Sequence, residues 1–229
     1  METTPPSNSE LRELKFDQEG NPKKFRGNTI VFHLPSGDAR ERVCNVLSRL
    51  RELRDASGLA SSLILLPEES MHMTLLEGVC DYVRTPENWP RYLKDVSLDE
   101  CNRVFEEKLR KHELKQRPPY TIRIVGWDMH SEGLSLTPEP IDEMEARRLQ
   151  SLRDDISNTL GLRLPNHDGY AFHIGLGYLR NLSREDTDAV EKVLAEWWND
   201  EVSFELGPPE FCTFENMFFF NRQFNIGER

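Results

Sequence analysis

A chain of 229 residues is long enough for one large domain or two small lobes around a sizeable core. Forty acidic against 29 basic residues give a net charge of −11, which excludes a protein that tracks long duplex nucleic acid on a basic face, while leaving room for a local pocket that holds a small phosphorylated ligand. No run approaches the ~18 apolar residues of a membrane span; the start METTPPSNSE lacks the basic and apolar regions of a secretory signal, and the four scattered cysteines form no Cys-x-x-Cys pair, so a cytoplasmic protein with free thiols is expected.

Residues 1–26 are polar, carry Pro5, Pro6 and Pro22, and read as a mobile arm or an edge-wrapping segment outside the core, followed by a single domain over 27–229. Residues 29–34 are β-branched and aromatic and predict a strand. Over 39–56, Val43, Val46, Leu47, Leu50 and Leu53 recur at helical spacing, with Ser57-Gly58 as the stop. Strands are predicted at 62–66 and 71–77 around a turn at 67–70, and 82–96 reads as irregular. Ser97 and Glu100 form a capping box that opens a helix to about 114. A strand at 120–126 is expected to pair with 133–137. A helix over 141–160 stops at Gly161, a strand follows over 170–179, and Ser183 caps a helix to about 199. Short strands are predicted at 202–206, 211–214 and 217–220, with Phe218, Phe219 and Phe220 buried and Trp197-Trp198 in helix packing.

This mixed order favours α+β over a doubly wound sheet. Strand 29–34, a helix and the strand of His72 are echoed by strand 134–137, a helix and the strand of His173. The echo predicts a bilobal pseudo-repeat, with two antiparallel or mixed sheets facing a central cleft and helices outside.

The stretches MHMTLLE (71–77) and FHIGLGY (172–178) each place one histidine in an apolar run. Strand side chains alternate faces, so His72, Thr74 and Leu76 share one face, and His173, Gly175, Gly177 and Leu179 share another. Phe172, Ile174, Leu176 and Tyr178 would then form the core face of the second strand. A face stripped to glycine lets a ligand or another backbone approach closely. A single histidine in such a strand is more often packed than catalytic; two copies in matched surroundings weaken that reading, and pattern alone leaves both open.

The segments LPEESMHMT (66–74), LPNHDGYAFHI (164–174) and PEFCTFENM (209–217) make the chain resemble the 2H phosphoesterase superfamily over residues 27–220. Members carry two His-x-Thr/Ser motifs on strands of two related lobes. The resemblance implies a metal-independent phosphodiesterase that needs no cofactor. Its substrate would be a small 2′,3′-cyclic phosphate, a cyclic nucleotide or a short RNA end, with no long duplex and no membrane as partner.

His72 and His173 would be general acid and base, since imidazole titrates near ~6.5 and holds either form at neutral pH. Thr74 would hold the phosphate. Gly175 departs from the motif and offers only its backbone or a water. A catalytically impaired or repurposed protein that binds a phosphorylated or other small ligand is therefore the alternative.

Three residues are candidates for the pocket edge: His167 and Tyr170 before the second motif, and Arg123 as a phosphate-binding cation, with Arg84, Arg163 and Arg180 equally eligible. Tyr82, Trp89 and Trp127 join Tyr170 as candidates for stacking a base. His33 reads as structural or at the cleft rim, and His112 and His130 as surface residues. No metal site is expected, because neither motif carries a carboxylate on its histidine face.

Overall fold

The computed structural model describes residues 8–130, 133–198 and 201–228. The chain opens with helix α1 (Asn8–Lys15), then strand β1 (Gly27–His33), helix α2 (Asp38–Ala56), and strands β2 (Leu63–Leu65) and β3 (His72–Cys80). Helix α3 (Leu98–Arg110), strands β4 (Tyr120–His130) and β5 (Gly133–Pro140), helix α4 (Glu143–Leu160) and strand β6 (Ile174–Leu179) follow. Helix α5 (Arg184–Trp197) and strands β7 (Val202–Leu206), β8 (Glu210–Asn216) and β9 (Phe219–Asn225) complete it.

The helices begin where side chains satisfy the first free amides. Ser97 accepts from the Glu100 amide, Asp142 from that of Glu145 and Ser183 from that of Asp186. Helix α4 ends at Gly161, whose φ of 65° is the left-handed conformation glycine adopts without steric cost. No described helix is long and apolar enough to cross a membrane.

The α+β expectation holds, and the pseudo-repeat has a concrete form. All strand pairs are antiparallel, in the order β7-β4-β5-β6-β3-β1-β8-β9, with β2 alongside β6. The order reads outward from the β6/β3 junction as two matching halves: β6, β5, β4 on one side and β3, β1, β8 on the other. Strands β3 and β6 are joined by one register pair, Met73 with Ile174, and β2, which precedes the His72 strand in the chain, adds three pairs to β6. The two expected sheets thus meet edge to edge, and the halves share one core that runs from Ile30 and Phe32 to Ile174 and Leu176. Helix α4 packs against β3, β4 and β5, and α2 against α5, where the Trp197 indole donates to the Arg42 carbonyl at 2.9 Å.

Of the two forms expected for residues 1–26, the buried aromatics fit the wrapping one, while three other expectations change. Phe16 and Phe25 are 0% and 4% exposed. The Phe16 ring lies 4.8 Å from Tyr178 and 5.8 Å from Phe218, because a polar segment with two aromatics gains most by burying those two. The last strand starts at Phe219, two residues later than expected, and Phe219 is 51% exposed because a turn occupies Met217 and Phe218. His112 is half-buried, with Nε2 3.0 Å from Asp155. Strand β6 starts at Ile174, four residues later than expected, so Tyr170 and His173 stand just before it and not within it. The side chain of His130 and the end of the helix predicted to 199 lie outside the described residues.

Candidate functional site

The site follows from the junction pair. In an antiparallel ladder, directly opposed residues point to the same face. Continuing the Met73–Ile174 register by one residue each way sets His72 opposite Gly175 and Thr74 opposite His173. The four motif positions therefore share one face, related by a pseudo-twofold axis through the junction. His72, Thr74, His173 and Gly175 line one cavity of about 470 Å³, together with Leu66, Glu77, Tyr178 and Phe220.

Each imidazole is oriented the same way. His72 Nδ1 donates to the Ser70 carbonyl at 2.6 Å, and His173 Nδ1 faces the Ala171 carbonyl at 3.4 Å. A carbonyl only accepts, so Nδ1 carries the proton and Nε2 is the nitrogen left for a ligand. The two differ in exposure: His72 is half-buried under the Phe220 ring at 4.3 Å, and His173 is exposed. Loss of hydration pulls the His72 imidazolium down to about 4; the Ser70 carbonyl opposes this, while charge on His33 and His173 adds to it.

Strand alternation breaks at the same place in both motifs. Ile30 pairs with Leu76 and Val31 with Thr74, leaving Leu75 unpaired on β3; Leu134 pairs with Gly177 and Ser135 with Gly175, leaving Leu176 unpaired on β6. These are β-bulges, and each shifts the following residues by one face. Glu77 and Tyr178, five residues after their histidines, turn onto the histidine face. The simple parity that placed Leu76 toward the cleft and Tyr178 in the core is overturned there.

The two glycines have different reasons. A Cβ at Gly177 would lie 2.7 Å from the Ile64 carbonyl, because β2 crosses there, whereas one at Gly175 would meet only Leu66 Cδ1 at 3.5 Å. Position 175 is therefore open toward the cavity. Nearby, the Tyr170 ring stands 6.0 Å from His173, and its hydroxyl, shielded from solvent and without a formed hydrogen bond, lies beside the Thr74 side chain.

Buried Arg153 on α4 ties the halves together. Its guanidinium donates to the Leu75 carbonyl and, at 3.2 Å, to the His167 carbonyl, and stacks on Tyr170 at 4.2 Å. His167 is 1% exposed and donates through Nε2 to Asp154 at 2.8 Å; it sits under the loop and outside the cavity lining. Arg123 stands on β4 facing Glu139 and Glu201 at 3.9 and 3.5 Å, also outside the lining, since β5 and β6 lie between it and the junction. Arg84, Arg163 and Arg180 are likewise held by Asp81, by Asp154 and Asp168, and by the Asp17 carbonyl with Glu13. Of the stacking candidates, Trp89 is buried under Arg84, and Tyr82 stacks on Phe25 instead of facing the cavity.

Among the described residues, two groups could hold a metal: His33, Glu210 and Cys212, and Asp154, His167 and Asp168. Neither includes His72 or His173. Arg163 pairs with both carboxylates of the second, and in the first His33 Nδ1 already donates to Glu210 at 2.6 Å, 6.0 Å from the His72 ring.

Comparison with solved structures shows that the fold is shared. A conserved protein of unknown function from Agrobacterium tumefaciens is 24% identical with a TM-score of 0.79, over 99% of this chain and 94% of that one. A phosphoesterase is 12% identical with a TM-score of 0.51, over 90% of this chain and all of that one. E. coli LigT complexed with 3′-AMP is 10% identical with a TM-score of 0.50, over the same shares. No curated protein matches the sequence. The chain belongs to the 2H phosphodiesterase family described as a domain of unknown function (DUF1868), whose model matches residues 15–132, a span that includes His72 and Thr74 and ends before His173.

Proposed function

We propose that the cleft hydrolyses a small phosphodiester, in the first place a nucleoside 2′,3′-cyclic phosphate or the end of a short oligonucleotide, by general acid–base catalysis with His72 and His173. The observation that carries this reading is the pseudo-twofold set about Met73–Ile174, which offers two Nε2 atoms and one hydroxyl to one cavity. Family membership supports phosphodiester chemistry. LigT with bound 3′-AMP supports a ligand of nucleotide size, which a cavity of about 470 Å³ accommodates.

His72, neutral at pH 7, takes the proton of a water whose oxygen attacks phosphorus. The bond from phosphorus to one ribose oxygen breaks, and that oxygen takes a proton from His173. The product is a phosphate monoester beside a free hydroxyl. Thr74 donates to a non-bridging oxygen, and the Tyr170 phenol beside it orients that hydroxyl. Gly175 favours a second reading, in which the cleft binds its ligand with little turnover.

The test is a panel of nucleoside 2′,3′-cyclic phosphates with the purified protein and a chelator present. Turnover is expected, and His72→Ala and His173→Ala should each lower it by ~10²–10⁴. A ligand-dependent rise in melting temperature without turnover would favour the second reading. Neither turnover nor shift would overturn both.

A further inference from the structure

The cavity continues from the two histidines to a cation that the sequence reading had left in the arm. Lys15, the last residue of α1, is the one Lys or Arg among the described residues that line it. Its ammonium stands 5.3 Å from the Tyr178 ring centroid and 5.6 Å from that of Phe25. Both rings also line the cavity, and Tyr178 faces it because of the bulge at Leu176.

No carboxylate pairs with Lys15 among the described residues. Its neighbours are engaged: Arg12 with Glu13, Arg26 with Asp99 and Glu215, Arg180 with Glu13. In a chain with 40 acidic side chains to 29 basic ones, a half-buried lysine without a carboxylate is a poor use of charge unless an anion arrives from outside. Ring faces favour the charged ammonium while leaving its N–H groups open to an acceptor. The position is also fixed: the Lys15 carbonyl accepts from the Lys23 amide at 2.8 Å, and the next residue, Phe16, is fully buried.

We propose that Lys15, over Tyr178 and Phe25, forms a second anion subsite of the same cleft, which takes a second phosphate group of the substrate. This rests on the phosphodiesterase reading above and narrows its substrate class to ligands carrying two phosphates. The second phosphate comes either from a terminal monoester on the same nucleotide or from the next internucleotide linkage.

The experiment measures affinity by calorimetry for 3′-AMP, adenosine 3′,5′-bisphosphate and a 3′-phosphorylated dinucleotide, using the full chain, Lys15→Met and Lys15→Arg. One charge-assisted contact predicts about tenfold tighter binding of a doubly phosphorylated ligand by the wild type. Lys15→Met should abolish that advantage while leaving 3′-AMP affinity unchanged, which also reports that the cleft is folded, and Lys15→Arg should retain most of it. Which of the two larger ligands gains identifies the source of the second phosphate. Equal affinity for all three, or an equal loss for all in Lys15→Met, would overturn the subsite. Absence of turnover with this Lys15-dependent advantage intact would overturn the hydrolytic reading and leave the subsite standing.

Discussion

The protein around His72 displaces its hydration, and the imidazolium is the form that suffers, so its pKa falls to about 4. A base whose folded pKa lies below its unfolded value of ~6.5 loses stability as pH falls, because the unfolded chain takes up the proton first. For catalysis the same shift keeps His72 able to accept a proton at mildly acidic pH. The acid limb of kcat/KM is expected near pH 4, and a limb at ~6.5 would remove His72 as the buried base. Gly175 is the complementary residue. It faces His72 across the junction, with only Leu66 Cδ1 at 3.5 Å from a Cβ built there. Gly175→Thr should therefore fit and set a hydroxyl beside His72, raising kcat on a cyclic phosphate by up to ~10² if it acts as an oxyanion-type donor. No gain on any substrate would mean that the missing hydroxyl does not matter. The identity of both histidines and of this gap was legible in the two motifs; which histidine is dry was not, because Phe220 reaches His72 from 148 positions away in the chain.

At the scale of elements, helix ends and strand cores were legible because their causes are local. The capping oxygens of Ser97 and Ser183 and the left-handed Gly161 act on amides and carbonyls a few residues away. The bulges at Leu75 and Leu176 were not, since a bulge is defined by the partner strand, and β1 and β5 supply the shortened register. Their consequence is large: they put Glu77 and Tyr178 into the cleft. The same limit separates the glycines of β6. Gly177→Ala should cost about 1–3 kcal/mol in denaturant unfolding, because its Cβ would lie 2.7 Å from the Ile64 carbonyl and a backbone atom has little freedom to retreat. Gly175→Ala, with no such neighbour, should unfold near the wild-type midpoint. Equal effects would show that β2 yields easily, against its pairing of Leu65 with Gly177.

Over the whole molecule, a net charge of −11 describes the surface and not the cleft, whose described lining carries one lysine, two histidines and one glutamate. The N-terminal segment belongs to this scale, because Phe16 packs on Tyr178 of one half and Phe218 beside the other. Phe16→Ala should lower stability by about 3–5 kcal/mol, the cost of emptying a fully buried aromatic site, as read by thermal unfolding; a change within ~0.5 kcal/mol would return the segment to a dispensable arm. By itself the sequence determined the α+β class, the repeat of strand, helix and histidine strand, and the two motifs with their unequal third positions. These are written in propensity, periodicity and spacing, which act within a few residues. Only the tertiary structure decided that His72 lies opposite Gly175, that Phe220 and Tyr178 wall the cleft, that Arg123 and His167 stand outside its lining, and that Lys15 supplies its cation. Each of those facts depends on a contact between distant segments, and such contacts exist only once burial of the shared core has set the two halves edge to edge.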